Sequence, residues 1–285
     1  MQAMIDSHIH IGRCLGKTPS VSSAEHIRAS FAAYASSGVI ALRDGGDRNM
    51  LGLKAREIAG DYGLSYKTPV YALYKTGGYG SFLGRAVSGV DEIKNELSQL
   101  MNYAPDFIKV IQSGIVSFNT YGKVTDGGFS PVELRCITDF ARSNGLKVMA
   151  HCNSPDNIST AITAGVSSIE HGYFIEKKQL SMMAHAGIIW VPTFIPLWNF
   201  LKSGHANRLQ QEVLCKTLDR HRESLHFAVS AGVSIALGSD AGAGFVPHGT
   251  GIVNELSYFT DQCGIDKSLA LTMMLENGKA LIYNQ

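Results

Sequence analysis

The stretch Gly232-Val233-Ser234-Ile235-Ala236-Leu237-Gly238-Ser239-Asp240 carries a pattern that recurs along the chain. A glycine closes an amphipathic stretch, an apolar run follows at once, and an ionisable side chain stands where the run ends. Glycine is favoured just past a helix end because it takes the left-handed conformation without a Cβ clash. A run of four to six apolar, often β-branched residues straight afterwards suits a strand buried on both faces. The pattern returns at Gly38 before Val39-Ile40-Ala41-Leu42, at Gly63 ahead of Pro69-Val70-Tyr71, and at Gly145 before Leu146-Lys147-Val148-Met149. It appears again at Gly165 before Val166 and at Gly187 before Ile188-Ile189-Trp190-Val191.

Adding the Ile5 run and Phe107-Ile108-Lys109-Val110-Ile111 gives eight strand candidates, beginning near residues 4, 39, 69, 106, 146, 167, 188 and 233. Helix starts lie between them. Ser22 with Glu25 and Ser130 with Glu133 have capping-box spacing, Pro131 follows Ser130, and Ser154-Pro155 opens another segment. Strict strand–helix alternation requires a parallel sheet, because parallel neighbours need crossover connections. Eight such units fit a closed α/β architecture, the (β/α)8 TIM barrel, better than its rival, an open doubly wound sheet. No linker, low-complexity stretch or charge block divides residues 1–285, which read as a single domain.

Bulk composition excludes several classes. With 25 Lys+Arg against 24 Asp+Glu, the net charge of +1 argues against a phosphate-binding surface for nucleic acid or anionic lipid. The start, Met1-Gln2-Ala3-Met4-Ile5-Asp6-Ser7-His8, has no basic region or long apolar run, so no secretory signal is expected. The longest apolar candidate, residues 188–201, is broken by Pro192 and Pro196 and is too short to span a bilayer. Cysteines 14, 136, 152, 215 and 263 are odd in number and form no CxxC pair. They read as reduced thiols, and the expected location is cytoplasmic.

The informative side chains fall at the C-terminal ends of the proposed strands, the face on which barrel active sites are built. His8 and His10 flank Ile9, and residues two apart in a strand point the same way, so both imidazoles can reach one ion. His151 closes the fifth run, His171 the sixth and Asp240 the last. Lys109 sits inside the fourth, where an unpaired ammonium is costly. It can snorkel to the rim, form a Schiff base with a carbonyl substrate, or be carboxylated by CO2 into an anionic metal ligand. Four histidines, a lysine and an aspartate at one end of five runs point to a metal site.

These residues lie in motifs that resemble the amidohydrolase superfamily. The likeness is greatest to its binuclear type with a carboxylated lysine, in the prolidase-like and imidazolonepropionase-like branch. The resemblance covers nearly the whole chain. It rests on Asp6-Ser7-His8-Ile9-His10, Thr76-Gly77-Gly78-Tyr79-Gly80, and Asp106-Phe107-Ile108-Lys109-Val110 followed by Ser113-Gly114. Met149-Ala150-His151, Ser168-Ile169-Glu170-His171-Gly172, Leu237-Gly238-Ser239-Asp240-Ala241-Gly242 and the tail 270–281 complete it.

What the resemblance implies is one divalent metal held by His8, His10 and Asp240, and a second held by His151 and His171. Carboxylated Lys109 and a hydroxide would bridge them, with zinc the default ion. Asp240 would shuttle the proton from the attacking water to the leaving amine. The expected reaction is cleavage of an amide, cyclic amide or dipeptide-like C–N bond in a small molecule. Ester, lactone or phosphotriester hydrolysis at the same centre is the alternative. Relatives in this branch often carry histidine where this chain has Tyr79, read here as an oxyanion donor or a substrate-stacking ring. Tyr121, His248 and Arg43 are the remaining substrate-binding candidates, expected in or near the loops on that face. The flanking β-sandwich usual in the family is expected to be lacking, leaving surfaces that self-association can cover.

Overall fold

The computed structural model describes residues 3–17 and 23–283. One set of strands comprises β1 (Met4–Ile9), β2 (Val39–Asp44) and β3 (Ser65–Lys67), in the order β1-β2-β3. The second comprises β4 (Ala72–Lys75), β5 (Gly84–Val87), β6 (Ile108–Ile111), β7 (Val148–Cys152), β8 (Ser168–His171) and β9 (Ile189–Val191). Its order is β5-β4-β6-β7-β8-β9, and the ladders in both sets are parallel.

Two joints close these sets into a cylinder. Residues 234–241 meet β9 through Trp190 N–H to Ser234 O and Ala236 N–H to Trp190 O, both 2.9 Å. They meet β1 through Ser7 N–H to Leu237 O at 3.0 Å and Asp240 N–H to His8 O at 2.7 Å. On the opposite side β3 and β4 are two halves of one strand position. β3 lies along β2, Thr68 O accepts the Asp106 N–H at 3.0 Å, and β4 lies along β6. The fold is a (β/α)8 barrel.

The third strand differs from its sequence reading. Pro69-Val70-Tyr71 is the kink between the halves, not the start of a strand, because Pro69 has no N–H to donate and Val70 takes φ 71°. β5, which the hydrophobic pattern does not announce, pairs with the β4 edge that the kink leaves open. Gly84 permits this approach, since a Cβ there would stand 1.7 Å from Ala72 O.

Helices follow the strand positions as the pattern requires. Ser130 accepts the Glu133 N–H in a full capping box with Pro131 behind it, opening the helix Pro131–Ser143. Ser154 precedes Pro155–Ala164 without a side-chain cap bond. Ser22 lies outside the described residues; the helix beyond it runs Ser23–Ser36. Strand side chains alternate between faces. Leu42, Val110, Ala150 and Ile169 join helix residues such as Phe31, Leu97 and Ile137 in the main apolar core. Their neighbours Arg43, Lys109, His151 and Glu170 turn into the barrel. Its floor is apolar, with Ile5 and Ala41 packed against Ile282 of the last helix, Gly278–Ile282. All five cysteines are free, and no helix among the described residues is long and apolar enough to cross a membrane.

Candidate metal centre

His8 and His10 leave β1 at the open end of the barrel, and Asp240 follows the closing segment beside them. His8 Nε2 lies 3.4 Å from His10 Nε2 and 3.5 Å from Asp240 Oδ1, which is 3.3 Å from His10 Nε2. Asp240 Oδ1 is buried and bonded to nothing in the protein. Two imidazole nitrogens and a free carboxylate oxygen this close make a ligand set for a cation. The other two predicted histidines adjoin it. His171 lies 5.0 Å from His8 between ring centroids, and His151 lies 4.7 Å from His171.

Outer hydrogen bonds fix which ring nitrogen each histidine keeps free. His8 Nδ1 faces Glu170 Oε2 at 2.7 Å, His171 Nδ1 faces Thr193 Oγ1 at 2.6 Å, and His151 Nε2 faces the Gly114 carbonyl at 3.1 Å. Nε2 of His8, Nε2 of His171 and Nδ1 of His151 are thereby left for an ion, the arrangement that orients metal-binding imidazoles elsewhere. Burial, then the Lys109 charge, pushes His8 far below the usual imidazole range and His151 down to about 3. Burial, then the neighbouring His151, does the same to His171. Neutral rings keep their lone pairs.

Lys109 reaches into the same space from β6, 1% exposed, with its Nζ bonded to no protein atom. The snorkelling alternative is therefore corrected: the side chain is buried at the base of the cavity among the other candidate ligands and does not reach the rim. Burial, with Arg43 adding to it, lowers the Lys109 pKa to about 8 against the opposing pull of Glu170. The ammonium still predominates at neutral pH, but a neutral minority of roughly a tenth is present, far more than an ordinary lysine offers.

The local backbone is shaped around these groups. His171 has φ 64° and Asp240 has φ 55°, left-handed conformations that cost a residue with a Cβ about 1–3 kcal/mol each. A Cβ at Gly45 would stand 2.3 Å from His10 Cε1, so glycine there makes room for the ring. Asp6 ties the closing segment to β1 by accepting Ser239 N–H at 2.8 Å and Ser239 Oγ–H at 2.5 Å.

A cavity of about 390 Å³ opens over the cluster, lined by His10, Lys109, His151, His171, Asp240 and Tyr79 among others. The Tyr79 ring lies 5.6 Å from that of His151, and its phenol is raised by burial and by Asp240. It is a neutral hydrogen-bond donor.

The amidohydrolase family profile matches residues 2–282. The chain belongs to that family. Ochratoxinase of Aspergillus niger is 29% identical over 211 residues, which are 73% of this chain and 42% of that protein. An uncharacterized protein of Mycobacterium tuberculosis, Rv2915c, is 31% identical over 119 residues, 41% of this chain and 32% of its own. The chain thus spans under half the length of these relatives. Among solved structures, A. niger ochratoxinase superimposes with TM-score 0.82 at 22% identity, over 98% of this chain and 71% of its own. A prolidase complexed with N-methylphosphonate-L-proline gives 0.81 at 23%, over 99% and 74%. A Xaa-Pro dipeptidase with bound methionine gives 0.79 at 21%, over 98% and 74%.

Within this amidohydrolase barrel, three substrate-binding candidates stand away from the cavity wall, which corrects the sequence expectation. Arg43 is 1% exposed inside the barrel, donating to Ser168 Oγ at 2.7 Å and pairing with Glu170 Oε1 at 3.4 Å, because strand alternation turns it inward. His248 is held between Tyr34 OH at 3.0 Å and the Arg13 carbonyl at 2.8 Å, which occupies both ring nitrogens. Tyr121 packs edge-on against Phe174 under Lys216. Sequence reasoning also passed over Glu170, although it adjoins His171 in a motif already noted. A carboxylate inside a buried strand is itself a signal of a fixed partner. Thr193, and Asn153 whose Nδ2 lies 3.2 Å from His151 Nε2, carry no such signal.

Proposed function

We propose that this chain is one hydrolase barrel domain, residues 1–285, that cleaves an amide, cyclic amide or dipeptide-like C–N bond of a small molecule. His8, His10 and Asp240 would hold one divalent ion, His151 and His171 a second, with carboxylated Lys109 between them and zinc the ion best matched to imidazole donors. Bound there, such a pair lowers the pKa of water to near neutrality and polarises a carbonyl. The observation that carries the reading is the buried Lys109 Nζ without a partner, pointing into a space ringed by four histidines and a free carboxylate oxygen.

Each residue then has a task. The neutral fraction of Lys109 attacks CO2, forming an N–C bond and releasing a proton, so a lone buried cation becomes an anion among would-be cations. With Oδ1 given to the ion, the other carboxylate oxygen of Asp240 would take the proton of the attacking water and return it to the leaving amine. Tyr79 donates its phenolic hydrogen to the oxyanion as the carbonyl carbon becomes tetrahedral. Glu170 holds His8 in one tautomer, with Ser168 and Arg43 fixing Glu170 in turn.

Ester or lactone hydrolysis is separated from this reading by the leaving group. An amine must be protonated to depart, whereas an activated alcohol needs less help. At metal occupancy matched to wild type, Asp240→Asn is expected to lower amide turnover by about 10²–10⁴ and matched activated-ester turnover by much less. Equal losses in a fully loaded variant would remove Asp240 from leaving-group protonation, and faster wild-type turnover of lactones than of amides across a panel would move the assignment to the ester class.

A further inference from the structure

Building on the two-ion reading above, we propose that Thr193 is a positioning residue whose hydroxyl, held in place by a clamped loop, fixes the His171 tautomer and so sets the affinity of the second ion. Thr193 follows β9 and is fully buried, with φ 51°. A β-branched residue is a genuine outlier there, where glycine would sit without strain. The loop 192–195 is held in that shape from three sides. His221, from the helix Arg208–Ser230, gives its Nε2–H to the Pro192 carbonyl at 3.0 Å. Tyr173, just beyond β8, gives its O–H to the Thr193 carbonyl at 2.8 Å, and Glu255 accepts the N–H groups of Phe194 and Ile195. Four successive residues thus each have a backbone group bonded to a side chain from elsewhere. The last grip also starts the helix Ile195–Lys202, whose Phe200 lines the cavity.

Packing alone does not account for His221. Its ring fills a box of Phe194, Tyr173 and Trp190, at 4.5, 4.8 and 5.2 Å between centroids, which a phenylalanine would fill as well. Burial pushes it down to about 4, so the ring is neutral, and its Nδ1 is buried with no partner. A buried idle nitrogen is unfavourable, and what the ring supplies against it is one bond, to the loop. The outcome of that loop geometry is Thr193 Oγ1 at 2.6 Å from His171 Nδ1. His171 is held to meet it. Its carbonyl accepts the Trp190 indole N–H at 2.9 Å, and its ring stacks on Tyr173 at 5.9 Å with 14° between planes. The Glu170 carboxylate behind His8 and the Gly114 carbonyl behind His151 are acceptors, whereas a hydroxyl donates or accepts. The hydroxyl is therefore the weakest of the three tautomer locks and works only while its oxygen stays placed. The free Nε2 of His171, and with it the second ion, depends on the loop.

The test has a metal-free arm and a zinc arm. Without metal, two-bond ¹H–¹⁵N spectra of the histidine rings are expected to show His171 protonated on Nδ1 in wild type and in Thr193→Ser. Thr193→Val should give a tautomer mixture. In the zinc arm, chelator competition follows the binding step that His171→Ala removes. Thr193→Val is expected to weaken that step about 10- to 100-fold and the other by less than about twofold. Thr193→Ser should restore it, and His221→Phe should weaken it about 3- to 10-fold. A wild-type His171 protonated on Nε2, or a tautomer unmoved by Thr193→Val, overturns the proposal. So does an unweakened zinc step, or an equal loss in both steps, which would mark general loosening. If the wild type binds no zinc, the two-ion reading falls, and the spectra still decide whether Thr193 sets the tautomer. Should Thr193→Val not fold, His221→Phe answers instead: a mixed tautomer with the one step weakened upholds the clamp, and wild-type behaviour overturns it.

Discussion

At the scale of single residues, the centre is built from groups that would each be unfavourable alone. Lys109 is an amine without a partner, Asp240 Oδ1 an acceptor without a donor, and His10 Nδ1 is buried unbonded. The metal pair proposed above would account for the first two, and the supporting shell gives this idea a test that does not depend on turnover. Glu170→Gln removes the anion behind His8 and is expected to weaken metal binding about 10- to 100-fold, read by competition with a chromogenic chelator. Unchanged affinity in a folded variant would separate Glu170 from the site. Gly45→Ala should displace the His10 ring and lower affinity in the same assay, whereas a wild-type value would mean that His10 is not a ligand. Tyr79→Phe is expected to lower kcat by about 10²–10³ with little change in KM, as loss of an oxyanion donor does.

At the scale of elements, the strand ends that carry the candidate ligands were legible because their chemistry is local. An ionisable residue closing an apolar run is conspicuous in the sequence, and barrel geometry then collects the ends. What stayed hidden depends on distant partners. Glu170 meets His8 across 162 residues, Arg43 is drawn inward by Ser168 and Glu170, and β5 exists only because β3 and β4 kink apart. A second buried acid joins elements in the same way. Glu255, from Thr250–Ser257, accepts the N–H of Phe194 and of Ile195, each at 2.9 Å, and so anchors the helix that carries Phe200. Burial raises Glu255 to about 8, outweighing those two donors. Between its ordinary pKa of 4.5 and about 8, the unfolded chain releases this proton while the folded chain keeps it, so its contribution falls as pH rises. Glu255→Gln sets an amide N–H₂ against one backbone donor and should cost about 1–3 kcal/mol at low pH. The gap to wild type should narrow towards pH 8; denaturant melts in which it widens would reverse the assigned shift.

For the whole molecule, the proposed ions would join parts of the barrel far apart in the chain: β1, β6, β7, β8 and the closing segment, which two short ladders and the Asp6–Ser239 bonds hold in place. Bound metal should therefore act as a stabilising ligand. At a free concentration a hundredfold above Kd the gain is about 2.7 kcal/mol, visible as a fall in thermal midpoint on chelation and recovery on adding zinc. A midpoint indifferent to chelator would mean that the barrel closes without ions.

The most direct measurement is a crystal structure of the metal-loaded protein at a resolution that defines the Lys109 side chain. The account predicts density for a carboxyl group beyond Nζ, flanked by one ion on His8, His10 and Asp240 and another on His151 and His171. A bare Lys109 amine in a cluster free of bound ions would contradict it.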